Sequence, residues 1–171
     1  YGNDPNVELV FVTANTTQED RRSLAFGSAC NGAFNAGIAL VEAVINPTPG
    51  KATTHQAVSW SGARFDGAPF EQMIAKYGIP NKSYPHCNRE LKIRPIHHYV
   101  QNVLGWEPGS YDTAIGIRAD EIDRISMNAQ KDRIIYPLVR AGVTKRDVGR
   151  FWSRQTFRLN LPAEYRGNCL T

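Results

Sequence analysis

Apolar positions along the chain fall into short runs separated by longer amphipathic stretches. Val7 to Thr13 (VELVFVT) is a brief apolar, β-branched run ending in small polar residues, the pattern of a buried strand. Asn15, Thr16 and Thr17 are residue types that cap helices, and Gln18 to about Phe34 continues as a helix with Glu19 and Asp20 in its first turn. Gly37 to Ile45 (GIALVEAVI) reads as a second strand. Asn46 to Gly67 is rich in Pro, Gly, Ser and Thr and reads as a long loop suited to a lid. Pro69 to Tyr77 is a short helix with proline at its start.

Further on, Arg89 to Leu104 is a helix entered or kinked at Pro95. Tyr111 to Ile117 (YDTAIGI) and Arg133 to Tyr136 (RIIY) are strands, and Thr144 caps a last helix in which Asp147 at N3 mimics a capping box. From Asn160 the tail is irregular. Strands alternating with helices predict one α/β domain over residues 1–171, a parallel sheet with helices on both faces. Such sheets bind ligands at the carboxyl ends of their strands. Those ends are Thr13 to Thr16, Ile117 to Asp120 and Tyr136 to Leu138.

Composition changes this picture little. The 171 residues are 42% hydrophobic and 21% charged, ordinary globular usage, and enough for a core without staples. A net charge of +4 favours anionic partners without choosing among them. Three widely spaced cysteines (Cys30, Cys87, Cys169) form no disulfide framework. No apolar run reaches the length of a membrane span and no export leader opens the chain, so the cytoplasm is the expected compartment. Both ends look cut. The chain meets a strand soon after Tyr1 and stops at Asn168-Cys169-Leu170-Thr171, so a fragment of a longer protein is expected.

The densest chemistry lies in Tyr84 to Pro95 (YPHCNRELKIRP). Arg89 and Lys92 are three apart, on one helix face beside Cys87. Fixed positive charge lowers a thiol's pKa, and the same cations suit phosphate or sulfate oxygens. A solvated charged face is the competing reading. Gly116 to Arg124 (GIRADEIDR) brings Arg118 to a strand end with Arg124 soon after, while Asp120, Glu121 and Asp123 could hold them in a surface ion-pair network.

Weaker signals complete the inventory. Val58 to Arg64 (VSWSGAR) imitates the start of a phosphate loop but lacks its second glycine and terminal lysine. His55, His86, His97 and His98 do not assemble a zinc set by spacing, and Cys30 reads as a buried structural thiol. The segment Arg150-Phe151-Trp152-Ser153-Arg154 suits nucleic acid and an amphipathic core helix equally well.

Taken together, these pieces resemble the phosphoadenosine phosphosulfate (PAPS) reductase family of the adenine nucleotide alpha-hydrolase-like fold, and most closely its short, phage-type members. VFVTANTTQED (Val10 to Asp20) is similar to the family's first site turn and implies nucleotide-pocket roles for Thr16 and Glu19. HCNRELKIRP resembles its cysteine-basic segment, matching Cys87, Arg89, Lys92 and Pro95. GIRADEIDR resembles the strand-end motif that holds sulfonucleotide phosphates, matching Arg118 and Arg124, and Tyr136-Pro137-Leu138 with Asp147-Val148 resembles a further element. The likeness runs from about Val7 through nearly all of the chain.

The resemblance implies thiol-dependent reduction of an adenylyl sulfate, with Cys169 attacking the activated sulfur and a thioredoxin-type reductant resolving the thiosulfonate adduct. It also implies a [4Fe–4S] cluster in the longer protein, with Cys87 and Cys169 among its ligands, which competes with the nucleophile role of Cys169. The family's Ser-Gly-Gly phosphate loop is absent from these residues. Two alternatives therefore stand: an ATP-dependent adenylating sulfurtransferase acting on nucleic acid, and a non-catalytic domain that binds nucleotide or nucleic acid. A phage-encoded member would work in the host cytoplasm.

Overall fold

The computed structural model describes residues 4–81 and 83–161, a mixed α/β protein of small sheets and helices. The described residues divide into two compact units, one formed by 4–81 and 83–104 with 159–161 and the other by Gly105–Arg158.

In the first unit, β1 (Val12–Asn15) leads through α1 (Arg21–Phe34) to β2 (Ala39–Val44), which pairs parallel to β1 with Asn15 opposite Glu42. Parallel neighbours need such a crossover. The helix begins one turn later than the cap-type residues suggest: Asp20, in the extended region, accepts the Arg22 amide at 2.8 Å and is the N-cap. It ends at Asn35 in the left-handed conformation, and Asn31 Oδ1 takes the Ile38 amide at 2.7 Å, turning the chain into β2.

The expected loop Asn46 to Gly67 contains a strand, β3 (Thr54–Val58), which pairs antiparallel to β2. Its polar first half hid it, because an edge strand that begins Thr-His-Gln and buries no residue fully lacks a continuous apolar run. The three-stranded sheet is ordered β1-β2-β3, so the expected all-parallel arrangement holds here only for β1 and β2. Likewise, β1 is Val12–Asn15 and not the whole run from Val7; Val7, Leu9 and Phe11 are each more than a third exposed.

Helix α2 (Ala68–Tyr77) starts at Gly67, whose φ of +71° only glycine adopts without strain. A short helix α3 (His86–Asn88) runs without interruption into a π-helical turn, Arg89–Ile93, and on into α4 (Arg94–Asn102), which carries Pro95 in its first turn. The predicted single helix is thus continuous but changes winding before the proline. The π turn buries Glu90 and Leu91, and Leu91 joins Ala43, Ile45 and Met73 in the core with Cys87 packed against them.

Glu90 is fully buried yet well partnered. It accepts hydrogen bonds from Thr53, from Arg89 Nε at 2.7 Å and from Arg94 Nη1 at 3.0 Å. Burial alone would raise its carboxyl pKa, but the Thr53 and arginine contacts outweigh that and hold it below the ordinary range. Where α4 meets β3, His98 Nδ1 lies 2.6 Å from His55 Nδ1; burial, then the neighbouring imidazole, pushes the His55 pKa down.

The second unit contains β4 (Thr113–Ala114) parallel to β5 (Ile134–Ile135), α5 (Pro137–Arg140) and α6 (Lys145–Ser153). Both predicted strands shrink to two residues, while the capping box of Thr144 and Asp147 forms as expected. Among the described residues no helix is long and apolar enough to cross a membrane.

Stability should fall with acid in two stages. A base whose folded pKa is depressed loses its stabilisation as pH drops below its ordinary value, about 6.5 for His55. A carboxylate held low, as in Glu90, loses it below about 4.3. Urea titrations from pH 8 to 3 should show both declines, with His55→Gln removing the first and Glu90→Gln flattening the second. Unchanged pH profiles in both variants would contradict these contacts.

Candidate functional site

Parallel strands bind ligands at their carboxyl ends, and here that end is the turn Asn15 to Asp20 between β1 and α1. It is built on buried polar groups. Asn15 is fully buried and donates from Nδ2 to Glu42 Oε1 at 2.7 Å and to the Arg64 carbonyl at 2.8 Å. Glu42, also fully buried, accepts the Arg64 amide at 2.7 Å and its Nε at 2.6 Å. Asn15 Oδ1 in turn takes the Thr17 amide at 2.9 Å.

Thr17 sits at φ +63°, a left-handed conformation that a β-branched residue adopts only under constraint. Its hydroxyl is buried with no hydrogen-bond partner among the described residues, and so is that of Ser23, two positions into α1 after Arg21. Strain and unpaired polar groups concentrated at a strand end single this turn out as the candidate site.

Beside this turn opens a cleft of about 460 Å³. Glu19, Ser23 and Lys92 supply its polar wall, while Gly27, Cys30 and Trp60 form an apolar side. Gly27 is required by the indole: a Cβ there would fall 2.9 Å from Trp60 Cη2. Burial raises the pKa of the Cys30 thiol, which therefore stays protonated.

Three of the expected site residues meet here. Thr16 Oγ1 donates to Glu19 Oε1 at 3.2 Å, and Lys92 Nζ pairs with the same oxygen at 3.4 Å. Arg89 does not join them. Its guanidinium turns to Glu90 Oε1 and to His86 Nδ1 at 3.2 Å. Cys87, expected beside these cations, packs instead against the apolar core, and His86 is stacked between Tyr77 and Tyr84.

In the second unit Arg118 pairs with Asp120 at 3.1 Å and with Glu121 at 3.2 Å, and Arg124 reaches Glu121 at 2.6 Å. Side-chain hydrogen bonds from Arg118 and Arg124 respectively hold Asp120 and Glu121 below the usual carboxylate range. The two arginines thus occupy the ion-pair network weighed against their functional role, and an anion would compete with carboxylates for them. Cys169 lies outside the described residues.

Among the described residues no cluster of three His, Cys, Asp or Glu side chains could hold a metal ion. An iron–sulfur cluster takes four thiolates as a rule, and of its two expected ligands only Cys87 is described. The described residues do not supply a ligand set.

Sequence reasoning missed Asn15 and Glu42 as the scaffold and Trp60, Ser23 and Cys30 as cleft walls. Glu42 carried a signal, a lone carboxylate inside the apolar run GIALVEAVI, which requires a buried partner. Arg64 was noticed only as the end of a phosphate-loop imitation; its charge is committed to Glu42.

Over 102 residues, 60% of its length, the chain is 37% identical to "Uncharacterized nin region protein ORF290" of Escherichia phage lambda. The match covers 33% of that protein, so the chain spans about a third of the length of this relative. No protein-family model matches the chain, and no solved structure matches it.

The strain at Thr17 is testable. Thr17→Gly removes the left-handed penalty, about 1–2 kcal/mol, together with an unpaired buried hydroxyl. It should leave the urea midpoint unchanged or raised, against the usual loss when a buried side chain is deleted. A destabilisation beyond about 2 kcal/mol would show that the turn is not strained.

Proposed function

We propose that this chain is the sulfonucleotide-binding part of a PAPS reductase-like phage protein with an adenine nucleotide alpha-hydrolase-like fold. The observation that carries the reading is the convergence of Thr16, Glu19 and Lys92 at the carboxyl end of β1, beside a cleft with an aromatic wall. These are residues that the resemblance assigns to the nucleotide site. The phage origin of the relative is consistent with it.

In this reading Lys92 gives up its weak, partly exposed pairing with Glu19 to meet a phosphate or sulfate oxygen of the nucleotide. Glu19 lines the pocket with Thr16 hydrogen-bonded behind it, and the apolar side with Trp60 accepts the base. Arg118, Arg124 and Arg89 would need to exchange carboxylate partners for anion oxygens. Reduction of bound adenylyl sulfate would fall to Cys169 with a thioredoxin-type dithiol, and would require the phosphate loop that this sequence lacks. The host cytoplasm, a reducing compartment, suits that chemistry.

Calorimetric titration with adenosine 3′,5′-bisphosphate and with ATP tests the binding step. The bisphosphate should bind more tightly than ATP, and Lys92→Ala should weaken it about tenfold or more, the loss of one charge-assisted contact. ATP binding in preference would favour the adenylating alternative. Absence of heat with both nucleotides, or undiminished affinity in Lys92→Ala, would overturn the proposal.

A further inference from the structure

Charge is distributed unevenly along this chain. Residues 133–158 contain seven Arg and Lys against one acid, Asp147, a net +6, which leaves the other 145 residues at −2. Much of that excess lies on and just after α6, the helix fixed at its start by the Thr144–Asp147 capping box.

Within α6 the charges are ordered. Arg146, Arg150 and its C-cap Arg154 follow at four-residue intervals, so they form one stripe with about 6 Å of rise between neighbours. All three are exposed. Val148, Phe151 and Trp152 occupy the opposite face, where Trp152 contacts Phe151 at 5.0 Å and Phe157 at 5.8 Å between ring centroids. Asp147, Gly149 and Ser153 also lie toward the basic side, and Asp147 faces Arg150 there.

The arginines are also poorly neutralised. Arg150 faces Asp147 at 3.6 Å, a half-exposed pair worth little, and Asp147 is already engaged by Thr144. Arg146, Arg154 and the following Arg158 have no ion pair among the described residues. This differs from Arg118 and Arg124, whose charges are met by carboxylates.

We propose that the α6 stripe of Arg146, Arg150 and Arg154, extended by Arg158, is a docking surface for a nucleic-acid backbone. A straight row of weakly neutralised guanidiniums fits a linear polyanion and offers bidentate contacts to successive phosphates. A small anion would use one of them. A membrane surface would need an extended free apolar face, and here Trp152 packs on Phe157 and only Phe151 is left half-exposed. The surface is independent of the nucleotide cleft, which lies in the other unit.

Fluorescence anisotropy with labelled 20-nucleotide single-stranded and duplex DNA, read from 50 to 300 mM salt with the full chain, tests this. Binding should be micromolar at low salt and fall steeply as salt rises. Arg146→Gln/Arg150→Gln/Arg154→Gln should weaken it at least tenfold and reduce the logarithmic salt slope by about two to three. The corresponding triple lysine variant should stay within about threefold of the parent, and Lys51→Gln/Lys131→Gln, exposed charges off the stripe, should bind as the parent does. Circular dichroism identical to the parent secures the comparison. Parent-like affinity and slope in the triple glutamine variant, no binding to either DNA at 50 mM salt, or preferential binding to phosphatidylserine vesicles would each overturn the proposal.

Discussion

The candidate site rests on a buried carboxylate, Glu42, and the donors that make its burial tolerable. A charge removed from water without partners costs several kcal/mol, so the fold must deliver those donors or fail. They come from two places, Asn15 at the end of β1 and Arg64 in the segment after β3, and together they tie both neighbours to the central strand. The same Asn15 holds the Thr17 amide, and so the turn's left-handed strain is maintained by the network beneath it. Position of the cleft, shape of its floor and direction of α1 all follow from that one arrangement.

Glu90 repeats the device on the helical side. Its partners Thr53, Arg89 and Arg94 link the start of β3 to the π turn and α4. This explains why Arg89, read from sequence as an anion ligand beside Lys92, is engaged elsewhere. Spacing placed the two cations on one face, but an adjacent buried carboxylate captured the nearer guanidinium. Lys92, three residues later and a third exposed, remains beside the cleft.

Local pattern revealed the elements whose burial is continuous or whose caps are explicit: β2 through its apolar run, α2 through its leading proline, α6 through Thr144 and Asp147. It failed where the decisive interaction joins distant positions. β3 was lost among turn residues because its stabilisation comes from pairing with β2, which residues 54–58 alone do not advertise. In the candidate site, Thr16, Glu19 and Lys92 were legible, whereas Trp60 was not, since its role depends on Gly27 thirty-three positions earlier offering a bare backbone. Arg118 and Arg124 were legible as a pair, and so was the carboxylate network that competes for them.

The π turn at Arg89–Ile93 has a geometric consequence for the whole helical run. Regular α winding advances about 100° per residue, and a π turn is wider, so it acts as a one-residue phase shift between α3 and α4. On its amino-terminal side the shift directs Cys87 to the core; on its carboxyl-terminal side it sets Val100 inward and His98 against His55. The helix is therefore two differently keyed surfaces on one axis, and rewinding the turn as regular α without removing a residue would rotate one key against the other by about 100°. The winding of this turn is thus as constrained as the identity of the residues within it, since the wide turn is what lets one extra residue fit between two faces that both stay in place.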